Sequence, residues 1–483
     1  MTFPSIKLHC QRLATQSQGS SSHCARTHCK DIDWLCCKVA EERQVESSIF
    51  TSDFREQPYW WDAAPLLPQS SLPALPALAD VVIIGSGYTG LVAAVNLARA
   101  GADVVVIEAE DAGYGASRRN AGYLGRTLKR DYAWLAKRHG SEYAHGVYRE
   151  LNEAYEAVRD IAVEEGIDCH INQCGRFIGA TSRPHYEILA ADLETNKRHL
   201  GVEFQMISRA EQHREIASDA YFGGAVIPDL GSIHPGLYHS GLLRAALNSG
   251  VKVISRTTAR SIRQKRSGSS KEQVVDTDRG EITAGNVISA TNGYTRQSFS
   301  WLAQRLVPFK GYMIATEVLS ADLINRLLPH RRTYIETNMN INFIRPAPDS
   351  ERILFGGLTG SRASDARAIA PALRRILQRL LPDIGEVRLS HAWLGQCAGT
   401  FDFMPHIGGA DGHYYAGGYN FAGVPMGTHF GRKLALKILG KPEGQSVFEI
   451  QRFPTLPLYN GNAWFMPLAM KYFDLHDRWI ARG

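Results

Sequence analysis

The run Asp80-Val81-Val82-Ile83-Ile84, followed at once by Gly85-Ser86-Gly87-Tyr88-Thr89-Gly90, constrains this chain more than any other feature. Four consecutive β-branched residues read as a short buried strand. Beyond the glycines, Leu91, Ala94, Val95, Leu97 and Ala98 give a helix an apolar face. Gly101 ends that helix, and Asp103-Val104-Val105-Val106-Ile107 reads as a second buried strand closed by Glu108. A lone G-x-G-x-x-G is weak evidence, but strand, glycines, helix, strand and an acid about twenty residues on form a dinucleotide-binding fingerprint. Gly85 permits the tight turn, and Gly87 lets a pyrophosphate approach the helix N-terminus, where Tyr88 and Thr89 form the first turn. Gly90 lets helix and strand pack closely. Glu108 is expected to hold the adenosine ribose hydroxyls; its charge repels a ribose phosphate, so the ligand is FAD or NAD and not NADP.

The 483 residues, 44% of them hydrophobic, supply material for two or three domains. Against 48 Asp+Glu, 54 Lys+Arg leave a net charge of only +6, spread along the chain, which argues against a nucleic-acid partner. The densest basic stretch, residues 256–271, carries a Gly-Ser cluster between two strand-like runs and reads as a solvated hairpin loop. No window resembles 18 consecutive apolar residues, and the expected location is cytoplasmic. Residues 1–50 are polar and Ser/Gln-rich, and read as a disordered lead with a weak transit-peptide character. Cys10, Cys24, Cys29, Cys36 and Cys37, with His23 and His28, crowd into that lead without the paired spacing of a zinc site, so no metal is expected.

The choice between FAD and NAD rests on Gly113-Tyr114-Gly115-Ala116-Ser117-Arg118-Arg119-Asn120-Ala121-Gly122. A small-residue loop with two arginines, just beyond the ribose end of the strand, could run along a pyrophosphate toward an isoalloxazine and donate amide and guanidinium hydrogen bonds. A nicotinamide dehydrogenase needs no such loop. Near the other end, residues 413–416 read as a strand, a glycine-rich turn follows, and a helix is expected over 427–439. Its positive end, aimed at the flavin pyrimidine, would stabilise the charge that reduction places there.

Together with Tyr59-Trp60-Trp61-Asp62, the 113–122 loop resembles the D-amino-acid-oxidase-type FAD-dependent oxidoreductases, and within them the gamma-glutamylputrescine oxidoreductase-like branch. That branch reads G-A-S-G-R-N-G-G here; this chain has Arg118 and Ala121 where the pattern has glycines. The likeness continues through Ile233-His234-Pro235-Gly236-Leu237, Val287 to Tyr294, Asp402-Phe403-Met404-Pro405-His406 and the segment 414–427, covering about residues 58–480. It implies an α/β fold in which a Rossmann-like FAD-binding domain of glutathione-reductase type is interleaved with an antiparallel-sheet substrate domain. The implied division is FAD-binding over 51–150, 225–300 and 390–445, substrate domain over 151–224 and 301–389, and a tail over 446–483 packed on the body. Implied FAD contacts, beyond the fingerprint, are Ala116, Ser117, Arg119, Asn120 and Gly122; Ala259, Ala290 and Gly293 on the adenine side; and Gly418, Gly423, Val424 and Met426.

Between residues 304 and 358 the pattern turns to period two, with strands expected over 307–316, 333–345 and 352–357. In the family this sheet roofs the flavin, which makes Tyr312, Tyr334 and Arg345 candidates for the substrate pocket, although alternation does not say which face looks at the cofactor. His391 and His406 read as packed residues, not bases. Cys397 lies where some relatives bind flavin covalently, but its surroundings read as a core strand and FAD is expected to be dissociable. The implied reaction is hydride transfer from a carbon beside an amine nitrogen, giving an imine that water hydrolyses; flavin chemistry makes no acid/base pair mandatory, and none is assigned. With one fingerprint only, oxygen or a quinone is the expected acceptor. The aromatic tail from Trp464 to Trp479 could touch a membrane, though packing against the body is the first expectation. An NAD-linked dehydrogenase and a non-catalytic flavin-fold binding protein are the competing readings.

Overall fold

In the computed structural model the first βαβ unit forms as the sequence leads one to expect. Strand β1 (Leu78–Ile84) and strand β2 (Val104–Ile107) are parallel neighbours joined by helix α1 (Tyr88–Arg99). Both strands end in four buried residues because an apolar cluster covers each face of the sheet, Val81, Ile83, Val104 and Val106 joining one and Val82, Ile84, Val105 and Ile107 the other. The described residues are 49–66, 73–126, 128–267, 270–449 and 452–482, and the architecture here is that of the compact unit beginning at Ser52. The expected disordered lead and its cysteine and histidine cluster lie outside the described residues.

The chain crosses repeatedly between two sheets. After β2 it runs through the long helix α2 (Ser141–Glu164) into a second sheet with β3 (Arg176–Gly179), β4 (Gln205–Ile207) and β5 (Gly224–Ile227). Helix α3 (Pro235–Asn248) leads back to the first sheet with β6 (Lys252–Ile254), β7 (Ala259–Ser267), β8 (Ser270–Thr277) and β9 (Gly280–Ser289). Next come β10 (Val307–Thr316), β11 (Thr333–Glu336), β12 (Phe343–Pro346) and β13 (Ile353–Gly357), then helix α4 (Ala366–Leu380) and β14 (Leu389–Gly399). The hairpin β15 (His406–Ala410) and β16 (His413–Gly417) feeds helix α5 (Gly423–Ile438), and helix α6 (Met466–Ile480) closes the description.

The first sheet has the order β7-β8-β9-β1-β2-β6, with β16 joining β9 in parallel; the second includes β14-β10-β13-β12-β11-β3-β5-β4. This is the interleaved arrangement expected, with three local differences. Residues 333–345 form two strands paired antiparallel, not one, because Asn338, Asn340 and Asn342 break the run into a turn. The basic stretch 256–271 is mostly strand: β7 and β8 pair from Ala259 onward, so its charges stand on a ladder and not in a loop. The boundaries expected at 225 and 390 cut into the substrate sheet, since β5 pairs with β3 and β14 pairs with β10 over its length.

Helices α1 and α5 pack across one face of the first sheet within a single large core. Their approach is close: a Cβ on Gly431 would lie 2.5 Å from the Thr89 carbonyl oxygen and 2.9 Å from Val92 Cβ. Only a residue without a side chain permits that crossing.

Candidate active site

A continuous cleft of about 460 Å³ runs from the carboxyl ends of β1 and β2 to the inner face of the second sheet. Ligands of open α/β sheets settle in such a crevice. At its near end Gly85 takes a φ of +106°, and a Cβ on Gly90 would collide with the Gly85 carbonyl and lie 3.2 Å from Ile83 Cγ2 on β1. Helix α1 begins with Gly87 as an N-cap that offers no side-chain acceptor, and its first turn, Tyr88 and Thr89, lies in the cleft wall.

The Glu108 carboxylate is fixed from below, accepting the Ser86 N–H (3.0 Å), the Ser86 hydroxyl (2.7 Å) and the Glu110 N–H (3.2 Å). Ser86 is held in turn by His239 on α3, whose Nε2–H donates to the Ser86 carbonyl at 2.7 Å. Burial, with Arg118 close by, pushes this imidazole down to about 3 and keeps it a neutral donor. Sequence reasoning missed His239; its place on an apolar helix carries no signal of that contact.

The 113–122 loop folds back over α1. Ser117 Oγ accepts the Tyr88 N–H at 3.0 Å, the Tyr88 hydroxyl donates to the Ser117 carbonyl, and Asn120 ties the turn internally through Ala116, Ser117 and Gly122. The Tyr59-Trp60-Trp61 motif explains itself here: the Trp60 indole donates to the Asn120 carbonyl (2.8 Å), as Trp393 does to the Arg119 carbonyl (2.9 Å). Arg119 reaches the Leu394 and Tyr114 carbonyls and lies over the Trp61 and Tyr114 rings. Arg118 does not face the cleft. It is buried, donates to the Ala64 carbonyl, and loses basicity to about 10 through desolvation. Only one of the two loop arginines is thus available to line a ligand.

Of the expected cofactor contacts, the cleft wall contains Gly85, Gly87, Tyr88, Thr89, Glu108, Ala116, Ser117, Arg119, Asn120, Ala259, Ala290, Gly423 and Val424. It does not contain Gly90, Gly122, Gly293, Gly418 or Met426. These stand behind the wall: Gly122 faces the Arg345 guanidinium and the Ile233 carbonyl, Gly293 abuts the Cys397 carbonyl, Gly418 abuts Thr400, and Met426 is fully buried. Helix α5 starts at Gly423, four residues before the expected start, so its uncapped first turn of Gly423, Val424 and Pro425 is what reaches the cleft. Thr89 Oγ1 and the Tyr419 hydroxyl, 2.6 Å apart, bind the two helix starts together.

At the far end the expectation for the pocket is corrected. Tyr312 and Tyr334 point away from the cleft, and their neighbours Gly311, Met313 and Ile335 line it instead; Arg345 shares the face of the cleft residue Phe343, two positions before it, but is not part of the wall. Strand alternation permits only one of the two faces, and burial of the tyrosines against the outer layer selects the other residues. The Tyr312 hydroxyl donates to the Ser361 and Ala363 carbonyls, that of Tyr334 accepts the Arg332 N–H, and the Arg345 guanidinium serves the Ala121, Gly122, Ile233 and Pro346 carbonyls. Arg176 on β3, unforeseen from sequence, lines the cleft while donating to Thr333 Oγ1 (3.2 Å) and the Leu124 carbonyl (3.1 Å).

Cys397 also lines the cleft, and burial pushes its thiol up to about 11, where it is a poor nucleophile. His391 and His406 are held by Asp62 (3.1 Å) and Asp402 (3.0 Å), and His406 stacks on Phe453. Among the described residues no cluster of His, Cys, Asp and Glu could hold a metal, and no helix is long and apolar enough to cross a membrane.

An acid at the ribose end, two helix N-termini on the same groove and an apolar chamber beyond them fit a ligand that is a dinucleotide at one end and a broad flat ring at the other. FAD has that form. The family described as DAO, FAD dependent oxidoreductase, matches residues 80–436. Gamma-glutamylputrescine oxidoreductase of Escherichia coli (strain K12) is 31% identical over 83% of this chain and 93% of its own. Probable oxidoreductase OrdL of Rhizobium meliloti (strain 1021) is 30% identical over 87% and 97%. Glycine oxidase from Geobacillus kaustophilus has a similar fold, with a TM-score of 0.66 at 23% identity over 79% of this chain and 99% of its own. The chain thus belongs to the DAO family of FAD-dependent oxidoreductases.

Proposed function

We propose that this protein oxidises an amine or amino acid at a carbon–nitrogen bond, with a gamma-glutamylputrescine-like molecule as substrate. The observation that carries the reading is the character of the far chamber, where Met313, Ile335, Ile341 and Phe343 form an apolar wall and Arg176 adds a cation. An apolar wall favours the neutral amine over its ammonium form, since desolvation penalises charge. Arg176 would hold a carboxylate at the other end of the same molecule. The 31% identity to the Escherichia coli enzyme supports that substrate class.

Bound FAD supplies the hydride acceptor. The protein's own part is to position the reacting carbon and to keep water from it, which the Met313 and Phe343 side of the sheet does by covering the chamber. Glu108, Ser117, Arg119 and the first turns of α1 and α5 would hold the cofactor. The product is an imine, which water hydrolyses to a carbonyl compound and an amine. Oxygen or a quinone would accept the electrons. Free thiols at Cys169, Cys174 and Cys397 suit the reducing cytoplasm in which we place the protein.

The test is the visible spectrum of the purified protein before and after anaerobic addition of gamma-glutamylputrescine, putrescine, D-amino acids and N-methyl amino acids. Bleaching of a flavin spectrum by gamma-glutamylputrescine at the lowest concentration is the expected result. A colourless protein would favour a nicotinamide enzyme, and a flavin that no amine bleaches would favour a binding protein.

A further inference from the structure

Helix α6 presents an apolar stripe that nothing in the described chain covers. Leu468, Tyr472, Leu475 and Trp479, at helical spacing on one face, are 65%, 63%, 63% and 73% exposed, and Trp464 just before the helix is 64% exposed. The opposite face is fastened. Asp477, buried, accepts the Met339 N–H at 2.9 Å, Met466 and Met470 pack on Gly360, and Arg362 donates to the Trp464 carbonyl at 3.1 Å. The outward direction of the stripe is therefore set by the fold. The sequence offered both packing on the body and contact with a membrane for this tail; one face of α6 packs on the body and the other is exposed.

Charge identifies what the stripe fits. At 100° per residue Lys471, Arg478 and Arg482 follow one border of the stripe, and exposed Asp474 lies farther round, beyond them. Two copies of the chain packed antiparallel through this face would bring basic border against basic border. An anionic lipid surface meets the same border with opposite charge, while Trp and Tyr rings suit the headgroup level. Trp464 and Leu468 also wall a groove of about 590 Å³ that includes Thr359, a residue of the cofactor cleft, so the same face adjoins the substrate end of the site.

We propose that α6 docks this protein peripherally on a bilayer surface rich in anionic lipid, lying in the interface and not spanning it. The test is flotation of the full-length FAD-loaded protein with vesicles of phosphatidylcholine alone or mixed with phosphatidylglycerol. Binding to the mixed vesicles at low salt, release by added salt and a blue shift of tryptophan emission on binding are expected. The triple variant Lys471→Glu, Arg478→Glu, Arg482→Glu should bind more than about 100-fold more weakly, since each lost cation removes roughly a factor of five at such a surface and each carboxylate adds repulsion. Leu468→Ser with Trp479→Ser should abolish flotation, and both variants should keep the flavin spectrum of the parent, which shows that they fold. Failure of the parent to float on the mixed vesicles would overturn the proposal. So would equal binding by the charge-reversed variant, or a dimer in sedimentation equilibrium that the serine variant splits.

Discussion

The hydroxyl and the backbone N–H of Ser86 both donate to one oxygen of Glu108, at 2.7 and 3.0 Å. This fixes the carboxylate at the end of β2 before any ligand arrives, so little ordering of that side chain remains for binding to do.

Glu108→Gln should therefore weaken FAD binding by about 10- to 100-fold, the loss of hydrogen bonds to a charged acceptor at the ribose. Fluorescence titration of apoprotein with FAD measures it. Affinity unchanged in the variant would remove Glu108 from the ribose contact.

Crossing of α1 and α5 depends on Gly431, whose Cβ position is 2.5 Å from a backbone oxygen of the neighbouring helix. Gly431→Ala must push the helices apart, at a cost of about 1–3 kcal/mol. Since both helices begin at the cleft, calorimetry should show a lower Tm together with faster loss of FAD on dilution; a lower Tm with FAD retention intact would mean that the helix starts do not move with the crossing.

Glu336 follows the cleft residue Ile335 on β11 and is 4% exposed; burial raises its carboxyl from 4.5 to about 7, against the hydrogen bonds from Asn338 and Asn342. Between those two values the unfolded chain has released a proton that the folded protein retains, so stability falls as pH rises through this window and is level above it. Glu336→Gln keeps an Oε1 acceptor for all three bonds and removes the ionisation. The variant should exceed the parent by about 1–3 kcal/mol at pH 8, with the difference shrinking toward pH 4.5. Urea denaturation at four pH values reads this directly, and a constant difference would contradict it.

Because the Cys397 thiol is pushed up to about 11, it holds little thiolate at neutral pH. Acid precipitation of the protein should leave its flavin in the supernatant, in Cys397→Ala and parent alike. Flavin that stays with the parent pellet and leaves the variant would show a covalent bond.

Much of the cofactor end was legible in the sequence, for a definite reason. The turn at Gly85, the approach of Gly90 and the acid at Glu108 are all local: each is dictated by neighbours within one βαβ unit, and such geometry leaves a spacing that can be read. The far chamber depends on contacts between strands distant in the chain. Residues Met313 and Phe343 take the inner face, and Tyr312 and Tyr334 the outer, according to which layer packs where, and a period of two is equally consistent with either. His239 beneath Ser86, Arg118 turned to Ala64 and the two indoles holding the Arg119 and Asn120 carbonyls are likewise long-range pairings. By itself the sequence determined the first βαβ unit, its glycine turn and the acid at the end of the second strand. Only tertiary packing decided which faces enclose its reactive end and which face of the last helix is left to solvent, because side-chain direction across a sheet or a helix is chosen by burial and not by the order of residues.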